Sequence, residues 1–324
     1  MTRIERILLT KTPLAFVLNK SKHWYLPGFE GVPLYDVIKF FYRQVKTVGL
    51  TERASAISYN FIMALPPSLL FLFTLIPNLP FISKKSLKFQ LHALITDIVP
   101  AKGYNVNIIK FVDSFIDGDK IGLLSFGLIT ALFFASNAMM GLMRSFNKNY
   151  IGFEKRKGLH TRLVALRLTT LIFGLVLACL ILLITQGAVL KWMGVKSDFW
   201  KEFIFYARWF FIISLVFYSI AFIYKYAPAV QKRWKLTSPG TILATFMSLL
   251  ATLGFSTFVN NFGKYNALYG SIGTIIMLMA LIFINSLVLL VGFELNVSIK
   301  SLRSIAEHRE AEEKAKAAAA KQIT

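Results

Sequence analysis

Six long apolar stretches constrain the fold of this chain more than any other feature of its sequence. A helix needs about 20 mostly apolar residues to cross the hydrocarbon core of a bilayer. Segments of that length become helical because lipid offers no hydrogen-bond partners to the backbone. The sequence therefore predicts an all-α integral membrane protein with six transmembrane helices. The predicted spans are about 54–76, 121–143, 163–186, 203–224, 239–259 and 271–295.

The basic residues predict how these spans are oriented. With all six spans counted, 25 of the 37 Lys and Arg residues lie on one side of the membrane and 10 on the other. In membrane proteins the cytoplasmic loops carry the excess of Lys and Arg. We therefore expect both the N-terminus and the C-terminus in the cytoplasm. The more basic side consists of residues 1–53, 144–162, 225–237 and the tail after residue 298.

The composition supports the membrane class and argues against a nucleic-acid partner. Hydrophobic residues make up 56% of the chain and charged residues only 16%, whereas about a quarter of a soluble domain is charged. The net charge of +21 is typical of proteins that bind nucleic acid. Here, however, the charges cluster between apolar spans and form no basic stripe on a soluble module, so we expect no nucleic-acid partner.

The span positions predict three regions. Residues 1–53 form a cytoplasmic arm, residues 54–298 the transmembrane domain, and residues 299–324 a charged helical tail. Two amphipathic segments within residues 86–117 predict an outer helical hairpin that either covers apolar loops or has a gating role. Apolar residues of the arm recur at helical spacing, which predicts an amphipathic interfacial helix on the bilayer surface. Its apolar face contains Leu34, Val37, Ile38, Phe41, Val45 and Val48.

Pro66 lies near the middle of the first span and is followed by Pro67. Proline lacks a backbone N–H and clashes with the carbonyl one turn earlier, so a helix bends or breaks there. The sequence leaves two alternatives. One is a kink that serves packing, and the other is a discontinuous helix that lines a cavity.

Polar residues inside the spans are candidates for a polar core or a substrate path together with Pro66. Polar groups at membrane depth are costly and commonly functional. Arg144 and Glu294 lie near the cytoplasmic ends of two spans, and we expect them to form an ion pair. The alternative is that each of them meets headgroups or water separately. The candidates are Asn60, Asn137, Arg144, Asn285 and Glu294.

Two stripes of small residues predict close helix contacts. Small residues let transmembrane helices approach each other, although a Ser/Thr stripe can also line a polar path. The second span contains Gly127, Ala131 and Ala135. The fifth span contains Gly240, Ala244, Ser248, Thr252 and Ser256 at intervals of four.

The sequence contains no motif typical of catalysis. The four histidines are scattered, Cys179 is the single cysteine, and no HExxH, CxxC, GxSxG or Walker A pattern is present. We therefore expect no catalytic residues, no metal site and no cofactor.

Motifs within roughly residues 35–300 match those of one family of membrane proteins. The segment "LMRSFNKNYIGFEKRKG" matches the family's cytoplasmic segment, and residues 224–296 carry the most specific similarity. The matching positions are Ala56, Tyr59, Pro66, Asn147, Tyr150, Glu154, Arg156, Pro228, Trp234, Pro239, Gly240, Tyr265, Asn266, Tyr269, Gly270, Ser271, Gly292, Glu294, Leu295 and Asn296. On these positions the chain resembles the YihY/BrkB family of bacterial inner-membrane proteins.

The resemblance implies a six-span inner-membrane protein with cytoplasmic termini. Members of the family have carried a ribonuclease label and a virulence-factor label, and the family is also linked to envelope lipid homeostasis. The sequence does not support the ribonuclease label, because it contains no pattern of metal-binding residues and no soluble domain that could bind tRNA. The link to lipids fits the predicted architecture better.

Two groups of residues are candidates for headgroup contact. Tyr269, Gly270 and Ser271 are predicted to open the sixth helix, with Ser271 as its N-cap, and helix starts can hold anionic groups. Lys155 and Arg156 belong to a basic loop that suits anionic lipid. We expect membrane lipids as partners, anionic phospholipid above all, while a homo-oligomer or an envelope partner protein stays open.

Three function hypotheses follow. The first is non-enzymatic transport or homeostasis of an envelope lipid or another amphiphile. The second is a structural or assembly scaffold for envelope machinery, in which the polar groups only hold helices together. The third and weakest is an intramembrane enzyme, because no nucleophile–base pair is visible in the sequence.

Overall fold

The structure is a computed structural model that describes residues 20–75, 121–147, 158–192, 198–230, 233–261 and 264–323. It also describes the isolated helical residues 85, 88, 92, 109, 110, 113 and 114. The regular elements with described bounds are all α-helices. They are α1 (Leu34–Thr47), α2 (Leu50–Leu75), α3 (Ile121–Phe146), α4 (Gly158–Trp192), α5 (Asp198–Tyr226), α6 (Pro239–Asn261) and α7 (Lys264–Ile323).

Helices α2 to α7 each contain a segment long and apolar enough to cross a membrane. The predicted all-α class and the six predicted spans are therefore confirmed. The orientation of the two termini stays a prediction, since length and composition do not show it.

The structure of helix α2 excludes one of the two alternatives for Pro66. The helix is continuous from Leu50 to Leu75 with both Pro66 and Pro67 inside it, so the prediction of a discontinuous helix is wrong. Two adjacent prolines remove only two backbone hydrogen bonds. The turns on either side keep theirs, because unpaired backbone groups are too costly in an apolar span. A bend that serves packing is the alternative that remains.

Helix α7 is 60 residues long and begins earlier than the sequence predicted. Its first residue is Lys264, so Ser271 lies inside the helix and the prediction that Ser271 is an N-cap is wrong. A glycine inside a helix costs only about 1 kcal/mol relative to alanine, and Gly270 therefore does not end so long an apolar helix. The predicted charged tail is a direct continuation of the same helix.

The chain divides into two units, which are described separately. The described residues of unit one lie within Met1–Ala56, Met143–Arg156 and Ile220–Thr324. The described residues of unit two lie within Ile57–Leu142 and Lys157–Ser219.

In unit two, helices α2, α3 and α4 pack through small and aromatic residues. A Cβ built on Gly127 of α3 would lie 3.4 Å from the Cα of Phe71 on α2. The ring of Phe71 also lies 5.3 Å from the ring of Phe173 on α4. Ala131 is buried on the same face of α3 as Gly127. The predicted packing role of this stripe is thus confirmed at Gly127 and Ala131.

In unit one, α1 packs against the part of α7 that follows the apolar span. Val37 is fully buried and clusters with Phe29, Val32 and Ile299. Ile38 and Tyr42, in contrast, are exposed. The predicted amphipathic helix is therefore present, and part of its apolar face is covered by protein. Contact of the exposed part with a bilayer stays a prediction.

The predicted outer hairpin lies largely outside the described residues. Among those that are described, His92 Nε2 lies 2.8 Å from Asp113 Oδ1, and Lys88 Nζ lies 3.9 Å from the same oxygen. These contacts join the two segments that were expected to pair.

Candidate functional site

Four residues in one stretch of α7 each make a different kind of contact in unit one. They are Gly292, Phe293, Glu294 and Asn296, which we call the α7 node. All four are buried. The node lies near the end of the apolar part of α7, and its partners come from α2, α3, α5 and α6.

Glu294 forms a buried ion pair with Arg53. Arg53 Nη1 lies 2.5 Å from Glu294 Oε1, and the side chains are 6% and 0% exposed. Arg53 Nη2 donates a second hydrogen bond to the carbonyl oxygen of Ser145 at 2.5 Å. One guanidinium therefore ties the start of α2 to both α7 and the end of α3.

Asn296 caps helix α6 from outside that helix. Its Oδ1 accepts a hydrogen bond from the backbone N–H of Gly240 at 2.8 Å, and its Nδ2 donates to Ser238 Oγ at 2.9 Å. The first N–H groups of a helix have no partner within it. A side chain of α7 here supplies one, in addition to the weaker bond from the Thr241 N–H to Ser238 Oγ.

Gly292 lets α6 and α7 cross in contact with each other's backbone. A Cβ on Gly240 would lie 2.1 Å from the carbonyl oxygen of Gly292. A Cβ on Gly292 would lie 2.6 Å from the carbonyl oxygen of Gly240 and 2.6 Å from Tyr224 Oη. Tyr224 in turn donates a hydrogen bond to the carbonyl oxygen of Leu289 at 2.6 Å. Neither glycine position has room for a side chain.

Phe293 is the centre of an aromatic cluster. Its ring stacks on Phe146 of α3, with ring centroids 4.0 Å apart and an angle of 1° between the planes. Trp234 lies at 5.6 Å and Tyr224 at 6.4 Å from the Phe293 ring. The cluster fixes the ends of α3 and α5 against α7.

A series of polar side chains, which we call the polar track, runs from the node along the contact between α6 and α7. In its middle Ser248 donates a hydrogen bond to Asn285, whose Nδ2 donates to the carbonyl oxygen of Leu281. The Thr245 hydroxyl is buried and has no hydrogen-bond partner among the described residues. The track consists of Ser238, which precedes α6, of Thr241, Thr245 and Ser248 of α6, and of Asn285 and Asn296 of α7.

A cavity of about 340 Å³ opens where the polar track meets the start of α6. Ser238 and Asn296 belong to both the track and the cavity wall. Much of the remaining wall is basic and comes from Arg233, Lys235, Lys300 and Arg303. The cavity lies at the polar end of the candidate span that begins at Pro239.

The predicted ion pair between Arg144 and Glu294 is wrong. Arg144 is exposed, and Glu294 binds Arg53 instead. The apolar pattern places the start of the first span at residue 54 and leaves Arg53 in the arm, whereas α2 begins at Leu50. One signal could have found it. Arg53 precedes the apolar residues Ile57 and Ala64 at helical spacing, which places all three on one face of a helix that starts before residue 53.

The remaining predicted path residues lie in unit two and have their own surroundings. Asn60 packs against Gly141, where a Cβ would lie 2.7 Å from Asn60 Nδ2. Asn137 Oδ1 accepts a hydrogen bond of 2.5 Å from Arg162 Nη1. Pro66 is exposed.

The predicted headgroup residues are only partly described. Lys155 and Arg156 lie outside the described residues. Tyr269, Gly270 and Ser271 are described as helix without their side chains. Their contact with headgroups stays a prediction.

The small-residue stripe of α6 has the predicted packing role over its first half. Gly240 and Ala244 contact Gly292, and Ser248 binds Asn285. Thr252 and Ser256 are exposed. Within the ranges that the structure describes, no three His, Cys, Asp or Glu side chains lie close enough together to hold a metal ion.

Comparison with known families shows the family of the chain. The family model described as Virulence factor BrkB matches residues 41–318. The chain belongs to this family. The match includes the whole α7 node and confirms the resemblance noted from the sequence.

Two BrkB-family relatives show how widely the similarity extends. The ribonuclease-like protein YfkH of Bacillus subtilis is 27% identical over 257 residues, which cover 78% of this chain and 91% of YfkH. A UPF0761 membrane protein of Tolumonas auensis is 23% identical over 299 residues, which cover 90% of this chain and 94% of the relative. No solved structure matches the chain.

Substitution of Asn296 by alanine is expected to loosen the start of α6. Loss of a helix cap costs about 0.5–2 kcal/mol, and the N–H of Gly240 would lose its acceptor. Hydrogen-exchange mass spectrometry of the detergent-solubilised protein should show faster exchange in the first turn of α6. Asn296→Asp keeps the acceptor and is expected to lose less protection. Equal protection in the wild type and both variants would show that the cap contributes nothing.

Proposed function

We propose that this BrkB-family protein handles a lipid or another amphiphile of the bacterial inner membrane without chemical conversion, with both termini in the cytoplasm. The polar track is the observation that carries this proposal. It connects a basic cavity at the membrane boundary with Asn285, which lies well inside the apolar part of α7. Polar side chains at that depth are costly unless they serve packing or function.

The chemistry of the track suits a polar headgroup. Hydroxyl and amide groups donate and accept hydrogen bonds without carrying charge. They can bind and position a headgroup while its acyl chains stay in the bilayer. They provide no general base, so binding and movement are the activities that they support.

The expected ligand is an anionic phospholipid. The chain carries a net charge of +21, and basic groups beside a membrane attract anionic lipids. The cavity at the end of the track concentrates such groups at one place. No energy source is assigned to the movement, since the sequence contains no nucleotide-binding motif.

A scaffold for envelope machinery is the second candidate function. The observation that favours it is the density of contacts within the node. Gly292 fixes a helix crossing, Glu294 binds Arg53, and Asn296 caps α6. The same contacts would stabilise a helix bundle that has no transport activity. A partner protein or a second copy would then bind elsewhere on its surface.

Thr245→Val separates the two functions. Valine has the shape of threonine, and the Thr245 hydroxyl has no partner among the described residues. Removal of a buried hydroxyl of this kind leaves stability unchanged or raises it. If the hydroxyl binds a passing headgroup, transbilayer movement should fall about two- to tenfold, the equivalent of one hydrogen bond. The measurement is dithionite quenching of fluorescent phosphatidylglycerol in reconstituted vesicles.

Thr169→Val is the matched control. The Thr169 hydroxyl of α4 is also buried without a hydrogen-bond partner among the described residues, and it lies outside the track. This variant should move lipid at the wild-type rate. Equal rates in all three proteins, or no movement above that of empty vesicles, would favour the scaffold.

A further inference from the structure

We propose that the cavity at the start of α6 is a binding site for a phosphate group. The cavity lies wholly in unit one, between the loop that contains Gly28 and Glu30, the segment before α6, and α7. Its volume of about 340 Å³ lies within the range of small-ligand sites. It leaves room for a phosphate group and part of the molecule that carries it.

The basic residues of the cavity divide into two groups with different roles. Arg303 is held by acidic residues, because its Nη1 lies 3.6 Å from Glu30 Oε2 and its Nε lies 2.7 Å from Glu307 Oε1. It fixes the loop to α7. Lys235 and Lys300, in contrast, form no ion pair with any described residue. Their charges are available to a ligand.

Arg233 provides a third cation at the cavity. Its guanidinium lies 5.2 Å from the ring of Tyr226, which positions the group without neutralising it. Within the part of the chain that the structure describes, Arg233, Lys235 and Lys300 have no acidic partner, whereas Glu30 is paired with Arg303. The charge that the cavity wall presents to a ligand is therefore positive. Phosphate is the common anion that accepts several charged hydrogen bonds at once.

The cavity also has an apolar wall. Trp234 and Ile299 are buried beside it, and Pro239 packs against Gly28, whose φ of +87° lets the loop turn at that point. A site with both basic and apolar walls suits a phosphate attached to an organic group. The first N–H groups of α6 are already bound by Ser238 and Asn296, so the side chains carry the binding.

Phosphate can reach this position from a lipid headgroup or from solution. The lipid source rests on the proposed function, whereas the soluble source does not. Binding is measured without any movement across a membrane. An absence of phosphate binding and an absence of lipid transport are therefore distinguishable results.

The test is calorimetric titration of the full chain in detergent with three probes. These are short-chain phosphatidic acid, inorganic phosphate, and short-chain diacylglycerol as the phosphate-free reference. Wild type should bind at least one phosphate probe and should bind diacylglycerol more weakly. In Lys235→Gln/Lys300→Gln the affinity for that probe should fall roughly tenfold or more for each lost charged contact.

Two further variants keep the test decisive. Lys235→Arg/Lys300→Arg retains both charges and should retain binding, and exposed Lys235 can be changed alone if the double variant does not fold. Arg144→Gln/Lys314→Gln removes two exposed charges elsewhere and should bind as the wild type does.

The outcomes separate the sources of the phosphate. Lysine-dependent binding of phosphatidic acid alone assigns the site to a lipid headgroup. Lysine-dependent binding of inorganic phosphate as well assigns it to soluble phosphate compounds. Affinities that are the same in the wild type and the Lys235→Gln variant, or that fall equally in the Arg144→Gln/Lys314→Gln control, overturn the proposal.

Discussion

Arg53→Gln is expected to destabilise the protein by about 3–5 kcal/mol, the usual cost of breaking a buried ion pair on one side. Glu294 is fully buried, and the substitution would leave its charge without the guanidinium that lies 2.5 Å away. The carbonyl oxygen of Ser145 would lose a donor at the same time. Since whole proteins are stable by only about 5–15 kcal/mol, the folded yield after detergent extraction should fall sharply. The thermal unfolding temperature should fall with it.

Arg144→Gln is the control for this experiment. Arg144 is an exposed arginine, and its loss should change stability by no more than about 0.5 kcal/mol. Arg53→Gln/Glu294→Gln removes both charges and should be more stable than Arg53→Gln alone. If the double variant is as unstable as the sum of its two single variants, the two side chains do not act as a pair.

Gly240→Ala is expected to have the second large effect. A Cβ at this position would lie 2.1 Å from the carbonyl oxygen of Gly292, so the backbone of α6 or α7 must move. Overpacking of this kind costs about 1–3 kcal/mol and occasionally more. The movement would also separate Asn296 from the start of α6. The checks are the unfolding temperature and faster exchange of the first turn of α6.

Gly254→Ala on the same helix provides a matched comparison. A Cβ at Gly254 meets no heavy atom within 4 Å. Alanine is favoured over glycine in a helix by about 0.5–1 kcal/mol, so this variant should be as stable as the wild type or slightly more stable. Similar losses at Gly240 and Gly254 would indicate a general effect of helix composition rather than the crossing.

The spans could be predicted from the sequence because hydropathy is a local property. Each segment's apolar composition requires it to be helical in lipid, whatever its neighbours are. The same reasoning fails at helix ends. Helix α7 continues through Gly270 and on into the charged tail, because a helix that already has its hydrogen bonds continues at little cost.

The residues of the site could be predicted better than their partners. The sequence predicts Asn285 and Glu294 as polar groups inside spans, and both lie in polar contacts of unit one. Their partners Ser248 and Arg53 are 37 and 241 residues away, and no local pattern specifies such contacts. The cap that Asn296 provides for α6 is likewise a tertiary contact.

The buried ion pair also has a consequence for the synthesis of the protein. Arg53 leaves the ribosome 241 residues before Glu294. At about 5–20 residues per second this interval is roughly 10–50 s. During that time Glu294 is absent, and a long side chain such as that of arginine can keep its charge in the headgroup region by extending. The first span therefore reaches its final contacts only after the last span has been made.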